Sequence, residues 1–415
     1  MAHGSAFREV YSSNREEYPM TESPFLGSQR LQVVEAPIIP VVAQWIRQVP
    51  GTISLGQGVV GYGPSPTAQE AAKAFGKAPG DHLYGPVAGD SDLLEAIRQR
   101  LLKEHGVDVG LDRCLLVTAG ANMAFLHAIM AIADPGDEII LPLPWYFNQE
   151  MAVKMLGCVP VGVATRPHDH GLDIEAIRAA ITPRTRAIVT VSPNNPTGAV
   201  YSEVDLRALD QLARERGLFL VSDEAYDAFV WEGRRHFSPA SIAGSADHTL
   251  AIYSMSKSYG LASWRVGYMV APSALLHHFN KIQDTNLICP PRIAQRVAAA
   301  SLLEGPIVFE AHRASLAEVR EMVLEALSHA KLPLKFSSAE GAFYTFLTVD
   351  GDHHPMALTE RLIREYGVAV IPGSAFGIDR GCTLRVAYGA LEPRTVQEGI
   401  QRLCHGLGKI LGSAG

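Results

Sequence analysis

Apolar strand-like runs alternate with amphipathic helical segments through the middle of the chain. The segment CLLVTA predicts a strand, NMAFLHAIMAIA a helix and DEIILP a second strand, and the alternation continues through RAIVTVS, VDLRALDQLARERG and LFLVSDEAY. Two further strand-like runs, TLAIYSMS and WRVGYMVAP, follow. Apolar strands that alternate with helices form a mostly parallel sheet covered on both faces. We therefore expect an α/β fold with a three-layer αβα large domain over residues 63–291.

The last third of the chain has a different pattern. Residues from about 292 to 332 show helical spacing, and FYTFLTVD, VAVIPGSAFG and CTLRVAYG predict short strands before a closing helix near Val396–Leu411. This pattern predicts a smaller α+β domain, which we expect to combine residues 31–62 with residues 292–415. Residues 1–30 are interpreted as an N-terminal arm. Two domains also suit a chain of 415 residues, which exceeds the usual size of a single core.

Composition excludes several classes of protein. The 36 Lys and Arg residues against 43 Asp and Glu residues give a net charge of −7, which disfavours nucleic-acid binding. The five cysteines are odd in number and form no CxxC pair, so we expect no disulfide framework, no metal site and a cytoplasmic location. No apolar run reaches the roughly 18–20 residues that span a bilayer, so we expect no membrane partner.

Polar residues follow several predicted strands, where ligands bind in α/β proteins. VTAGANMAF places Gly120, Ala121 and Asn122 before a helix N-terminus, whose free N–H groups suit a phosphate, although such turns are often simple packing. Asn195 lies in SPNNPTG, which by itself could be an ordinary Asn-Pro turn.

The strand LFLV is followed by SDEAYDAF, in which Asp223 and Tyr226 are three residues apart. Helix capping by Asp223 is the plain alternative to a functional role. Lys257 lies in SMSKSYGLASWRVGY, which by itself would be interpreted as a loop with a surface lysine. Arg385 stands inside the apolar strand TLRVAYG, and a buried arginine needs an anion or carboxylate partner.

Taken in order, NNPTG, SDEAY, SxSK followed by WRVGY, and LRVAYG make the chain resemble a class I aminotransferase, a pyridoxal 5′-phosphate (PLP) enzyme of fold type I. The resemblance extends from about Leu31 to the end. It implies PLP as cofactor, amino acids and 2-oxo acids as substrates, a ping-pong cycle, and a homodimer.

The resemblance also implies roles for the central residues. Lys257 carries the cofactor covalently and moves the substrate proton. Asp223 pairs with the pyridine nitrogen and keeps it protonated. Tyr226 and Asn195 hydrogen-bond the cofactor's O3′ oxygen. The Asn195–Pro196 bond is expected to be cis, as is frequent in this family.

Further contacts of the cofactor and substrate follow from the same resemblance. The backbone of the Gly120–Asn122 turn and Arg265, with Ser254 and Ser256 as weaker candidates, are expected at the phosphate. This turn departs from the commonest pattern, because Ala121 and Asn122 stand where a hydroxyl residue or a second glycine is usual. The backbone donors remain, and the side-chain donors differ. Tyr146, or Trp145 as the alternative, is expected to stack on the pyridine ring. Tyr84 is expected to contact the phosphate in the neighbouring subunit. Gly58, Asn195 and Arg385 are expected to hold the substrate carboxylate.

The substrate is predicted from similar stretches. SLGQGVV, AGANMAF, the YFN turn and SKSYGLASWRVGY resemble the branches that act on aromatic amino acids and methionine, and LGQG is shared with kynurenine/glutamine-type enzymes. No second arginine near Gly58, Tyr62 or Tyr84 suits a dicarboxylic substrate, although Arg292 of a partner subunit is left open. The alternatives are an aspartate/glutamate-type aminotransferase and a PLP lyase of the same fold, such as a C–S lyase.

Overall fold

A computed structural model of the chain describes residues 27–412, so most of the predicted N-terminal arm lies outside the described residues. The strands, numbered in chain order, are β1 (Ile53–Ser54), β2 (Arg113–Thr118), β3 (Glu138–Leu143), β4 (Val159–Ala164), β5 (Thr185–Val191), β6 (Phe219–Asp223), β7 (Thr249–Ser254), β8 (Gly267–Pro272), β9 (Leu334–Phe336), β10 (Tyr344–Val349), β11 (Val368–Ala369), β12 (Ile371–Pro372) and β13 (Cys382–Ala387).

The α-helices are numbered in the same way. They are α1 (Gln29–Gln32), α2 (Ile38–Gln48), α3 (Pro66–Ala74), α4 (Ser91–Arg100), α5 (Ala121–Ile132), α6 (Phe147–Met155), α7 (Ile174–Ala180), α8 (Glu203–Arg216), α9 (Leu276–Asn286), α10 (Arg292–Glu304), α11 (Ile307–His329), α12 (Pro355–Tyr366) and α13 (Pro393–Gly412). Short 3₁₀ turns and one π-helical turn, Leu101–His105, connect some of them.

A seven-stranded sheet with the order β2–β8–β7–β6–β5–β3–β4 forms the centre of the larger part. Its strands run parallel except β8, which is antiparallel to both β2 and β7. Successive residues of β2 enter different cores, since Leu115 and Val117 pack with α3, α4 and α10 while Leu116 packs with α5 and α9. The sheet is therefore covered by helices on both faces, and the predicted three-layer α/β fold is confirmed.

A second, antiparallel sheet has the order β12–β13–β10–β9. Arg385 lies on its central strand β13, with Phe346 of β10 and Ile371 of β12 as register partners. The early strand β1 pairs in parallel with β11, joining Ile53 to Val368, and Leu55 is buried in the same core as the second sheet. An N-terminal piece of chain thus completes the C-terminal α+β part.

The domain limits stay a prediction. Helix α10 packs its Ala294, Val297 and Leu302 side chains into a core that also holds Leu93 and Tyr253 of the larger part. This packing favours a boundary after α10, rather than before it at residue 292. No helix within residues 27–412 has both the length and the apolar character needed to cross a membrane.

One local prediction is wrong. The cis peptide bonds of the described chain are Leu143–Pro144 and Ser192–Pro193, so the bond between Asn195 and Pro196 is trans. The Asn194 side chain closes the turn here, because its Oδ1 accepts from the N–H of Thr197 at 3.1 Å and from its hydroxyl at 2.8 Å. With that turn in place, Asn195 reaches the functional cavity without a cis bond.

Candidate active site

A cavity of about 370 Å³ opens at the carboxyl ends of the central parallel strands, where Val191 ends β5 and Asp223 ends β6. This is the position at which ligands bind in open α/β sheets. The cavity contains all the predicted site residues except Gly120 and Tyr84, namely Gly58, Ala121, Asn122, Tyr146, Asn195, Asp223, Tyr226, Ser254, Ser256, Lys257, Arg265 and Arg385.

Lys257 lies in the cavity and donates a hydrogen bond from Nζ to the backbone carbonyl of Gly58. Burial lowers the pKa of Lys257 to about 8, and the positive charges of Arg385 and Arg265 act in the same direction. Because a nucleophilic amine must be neutral, this environment prepares Lys257 to attack a carbonyl carbon near neutral pH.

Asp223 is a buried carboxylate that forms no ion pair within residues 27–412. Its Oδ2 accepts from Gln149 Nε2 at 2.7 Å, and its Oδ1 accepts from the Ala225 N–H at 3.1 Å. Burial, helped by the neighbouring Glu224 charge, raises the pKa of Asp223 to about 6. A protonated ring nitrogen would supply the cation that this carboxylate lacks, so the residue fits the pyridine of PLP.

The hydroxyl of Tyr226 lies in a short polar chain. It is 2.7 Å from the Tyr344 hydroxyl and accepts from Asn195 Nδ2 at 3.4 Å. Burial raises the pKa of Tyr226 well above its ordinary value, so the phenol is protonated and can donate to an anionic oxygen. This arrangement suits the phenolic O3′ of the cofactor.

Arg385 is almost fully buried, at 2% exposure, and has no carboxylate partner in the described chain. Its Nη1 donates to Asn195 Oδ1 at 2.9 Å and its Nη2 to the Gly56 carbonyl at 2.7 Å, while Nε has no partner. The guanidinium lies 4.8 Å from the ring centre of Tyr344 and 5.2 Å from that of Phe376. A buried cation held by neutral groups is suited to bind a substrate carboxylate.

The other end of the cavity is built for an anion. Helix α5 begins at Ala121 and directs its free N–H groups there. Arg265 also has no carboxylate partner in the described part of the chain; its Nη1 is 2.8 Å from the Ala262 carbonyl and 3.5 Å from Ser256 Oγ. The helix N-terminus, the Ser254 and Ser256 hydroxyls and an arginine without a carboxylate partner in the described chain all line this end of the cavity. The residues present therefore fit a phosphate group.

Gly120 supports this end although its atoms do not line the cavity. It precedes α5 with φ = 86°, and a Cβ at this position would lie 2.2 Å from Arg265 Nη2. A glycine is therefore needed both for the backbone conformation and for the arginine beside it. Tyr84 is the other predicted residue outside the cavity, and it is 78% exposed.

Tyr146 rather than Trp145 faces the cavity. Its hydroxyl accepts from Asn148 Nδ2 at 2.9 Å, whereas Trp145 packs against an apolar core and closely approaches Gly377. Within the described chain, the structure therefore favours the first of the two predicted stacking residues.

Two residues that hydrogen-bond to predicted site residues escaped the sequence analysis. Gln149 lies on α6 and is 2% exposed, but a glutamine on an ordinary helix gives no signal of this burial in the sequence. Tyr344 stands at the start of β10 in the predicted strand FYTFLTVD, where a tyrosine is unremarkable. Only the fold brings these two residues to Asp223 and Tyr226.

Arg292, the arginine left open for a dicarboxylic substrate, is not in the cavity. Its Nε is 3.3 Å from Asp90 Oδ1, and its Nη1 donates to the Gly80 carbonyl. The charge of this guanidinium is already compensated within its own chain.

Comparison with known proteins gives consistent results. The model of the family "Aminotransferase class I and II" matches residues 50–403. The aspartate/prephenate aminotransferase of Thermus thermophilus is 35% identical over 363 residues, which are 85% of this chain and 88% of that protein. The aromatic-amino-acid aminotransferase 2 of Thermococcus litoralis is 30% identical over 381 residues, 91% of this chain and 97% of that one.

Solved structures agree over most of the chain. A Thermus thermophilus aspartate aminotransferase mutant superposes with a TM-score of 0.85 at 32% identity, covering 92% of this chain and 100% of the other. The aromatic aminotransferase of Pyrococcus horikoshii superposes with a TM-score of 0.82 at 30% identity, covering 89% and 99%.

Proposed function

The chain belongs to the aminotransferase class I and II family, and we propose that it transfers the amino group of an aromatic amino acid or methionine to a 2-oxo acid in a ping-pong cycle. Aminotransferases of this family use PLP, and the charges of the cavity suit each end of that cofactor. When bound, PLP supplies the electron sink that accepts the electron pair left by the departing Cα proton.

Each of the predicted site residues has a separate role in this reaction. Lys257, with its lowered pKa, would hold the cofactor and would accept the proton from the substrate Cα. Asp223 holds the ring nitrogen protonated, and Tyr226 with Asn195 binds the O3′ oxygen. Arg385 binds the substrate α-carboxylate beside Gly58, so the Cα–H bond lies within reach of Lys257, which itself contacts Gly58.

The single observation that carries the substrate proposal is the set of cations in the cavity. These are Lys257, Arg265 and Arg385, and each already has a role at the cofactor or at the α-carboxylate. Pro37, Ile39 and Phe147 supply apolar walls instead. A large neutral side chain therefore fits better than a second carboxylate, and such a pocket accepts several of them, because one methylene changes affinity by only about 1–3 kcal/mol.

An aspartate/glutamate-type activity is the second candidate. It is favoured by the names of several relatives, among them the aspartate/prephenate aminotransferase of Thermus thermophilus. In this chain it would need an arginine from outside the described cavity. Arg292 suits that role poorly because Asp90 already pairs with it.

We also propose that the active unit is a homodimer. Tyr84 and the adjacent Leu83 are exposed by 78% and 67%. Such an exposed aromatic and apolar pair suits an interface between two copies, and the family resemblance implies that the tyrosine contacts the partner's phosphate.

A half-reaction screen tests the substrate proposal. The holoenzyme is mixed with each of the twenty amino acids without an oxo acid, and loss of the visible absorbance of the bound cofactor is followed. Phenylalanine, tyrosine, tryptophan and methionine should react fastest. Aspartate and glutamate reacting at least about ten times faster would reject the neutral-substrate proposal. Release of ammonia without an acceptor would indicate the lyase instead.

A further inference from the structure

A cluster of buried charged side chains lies directly behind the turn that carries Asp223 and Tyr226. Within residues 223–227, Asp223, Ala225 and Tyr226 line the cavity, whereas Glu224 and Asp227 do not. These two carboxylates are 0% and 5% exposed. The same short segment therefore presents two functional side chains to the cavity and two charges to the interior.

Each interior carboxylate has basic partners. Asp227 Oδ2 is 2.5 Å from Arg100 Nη2 and 2.9 Å from His105 Nε2. Glu224 Oε2 is 2.7 Å from His236 Nε2, and its Oε1 accepts from Ser238 Oγ at 2.8 Å. The two histidine rings meet edge to face, with centres 5.4 Å apart, so both pairs form one cluster.

The helix that supplies Arg100 and His105 has an unusual end. After Arg100, helix α4 continues as the π-helical turn Leu101–His105, which ends at Gly106 in the left-handed conformation. π-Helical turns are rare in proteins, and those that occur are often found at functional sites. The other titratable groups facing the cluster are those of Glu104, 2.9 Å from Arg100 Nε, and the phenols of Tyr253, Tyr259 and Tyr268.

The pKa shifts of Asp227 and His236 show that the carboxylates of the turn interact with the basic side chains of the cluster. Burial opposes ionisation of Asp227, but Arg100 and His105 outweigh it and hold the pKa of Asp227 below its ordinary range. Burial also opposes protonation of His236, yet the Glu224 carboxylate raises the pKa of that ring. Buried ion pairs contribute little net stability compared with apolar packing, so a role in fixing geometry explains the cluster better than stability does.

We propose that Glu224 and Asp227 are positioning residues, anchored by Arg100, His105 and His236, that fix the turn so that Asp223 and Tyr226 meet the cofactor ring. This inference depends on the cofactor contacts proposed above for Asp223 and Tyr226. The turn is not part of a helix or strand beyond Asp223, so the orientation of its side chains depends on such anchors. A small displacement of catalytic groups costs up to about 100-fold in rate.

The test uses the holoenzyme with Asp227→Asn. We expect the dissociation constant of PLP to rise by about tenfold or more. We also expect the midpoint of the pH titration of the bound cofactor's visible absorbance to move by at least about half a pH unit. Both measurements report the geometry at the ring, whereas a purely structural role would change the melting temperature alone.

A matched control lies far from the cavity. Asp210 is likewise buried and paired with an arginine and a histidine, Arg214 at 3.2 Å and His248 at 2.9 Å, and it does not line the cavity. Asp210→Asn should lower the melting temperature without moving either cofactor measurement. Equal cofactor behaviour of Asp227→Asn and Asp210→Asn would overturn the positioning proposal.

Three further variants separate the possible failures. Asp223→Asn must change the absorbance titration, and if it does not, the proposed cofactor contacts are wrong rather than the positioning role. If Asp227→Asn does not fold, His236→Leu and His236→Gln replace it. Glutamine can still donate to Glu224, so it should restore the titration midpoint that leucine shifts. Wild-type midpoints in both variants would overturn the proposal.

Discussion

The hydroxyl groups of Tyr226 and Tyr344 lie 2.7 Å apart and connect the seven-stranded sheet with the four-stranded sheet. Tyr226 follows the central strand β6 of the large sheet, and Tyr344 begins β10 of the small one. The residue expected to bind the cofactor's O3′ is therefore held by the part of the chain that also carries Arg385. The residues proposed to bind the cofactor and the substrate carboxylate therefore belong to one hydrogen-bonded chain.

Tyr344→Phe should weaken that connection. The variant removes one buried hydrogen bond, worth about 0.5–1.5 kcal/mol, so kcat/KM should fall by about 2–10-fold. Tyr388→Phe is the matched control, since the buried Tyr388 hydroxyl has no hydrogen-bond partner within residues 27–412 and Tyr388 does not line the cavity. Steady-state kinetics of both variants decide the matter, and equal activities would show that the Tyr344 hydroxyl is dispensable.

Gly120→Ala should weaken cofactor binding. The new Cβ would lie 2.2 Å from Arg265 Nη2, so the guanidinium must leave the phosphate end of the cavity. Gly136→Ala imposes a similar backbone strain at φ = 94° but meets no atom within 4 Å. Both variants should lose stability by about 1 kcal/mol, while only Gly120→Ala should release PLP more readily in equilibrium dialysis.

Asp223 should make the apoprotein less stable as the pH rises. Its pKa is about 6 in the folded protein, against 3.8 for an ordinary aspartate, so the folded state binds the extra proton between these values. Stability is therefore lost as the pH rises from about 4 to about 6, and the cost is fully present above that window.

Asp223→Asn removes this cost. Urea unfolding of the two apoproteins should show the variant more stable at pH 7 by about 2–3 kcal/mol, with the difference vanishing near pH 4. Other titrating groups are common to both proteins and cancel in the comparison. A difference that does not depend on pH would contradict the raised pKa.

The lowered pKa of Lys257 predicts how the apoprotein captures its cofactor. The neutral amine becomes the major form above pH 8, so the rate of covalent attachment of PLP should rise up to about that pH and then level off. Stopped-flow absorbance between pH 6 and pH 10 measures the profile. A rate still rising steeply above pH 9 would mean that Lys257 titrates like an ordinary lysine, and Lys257→Ala should show no covalent phase.

Shared active sites predict complementation between two inactive variants. Lys257→Ala lacks the amine, and Tyr84→Ala should bind PLP weakly. After unfolding and refolding together, half of the dimers would be mixed, and in each of these one site has both residues intact. About a quarter of wild-type activity should return. Mixtures no more active than their components would exclude a role for Tyr84 in the partner's site.

Local patterns in the sequence single out only some of the predicted site residues, since Lys257 and Asn195 are predicted through the family resemblance alone. Arg385 is a charge in an apolar strand, and Asp223 ends a run of apolar residues. Gln149 and Tyr344 break no such pattern, because a glutamine on a helix and a tyrosine in a strand are ordinary. Their roles arise from contacts across 74 and 118 positions of sequence, which no local periodicity records. The wrong cis bond at Asn195 has a different origin, because the turn found there is local and is closed by the Asn194 side chain, which accepts from Thr197 three residues on.

The parallel pairing of Ile53 with Val368 also sets the order in which the molecule can be assembled during synthesis. The segment around Leu55 leaves the ribosome early, but the strands that bury it are made only near the end of translation. The end of the cavity proposed to hold the phosphate, built from α5 and Arg265, can form before that moment. The carboxylate end, where Gly58 meets Arg385, must wait for the last strand, so a nascent chain cannot become a working catalyst until almost all of it has emerged.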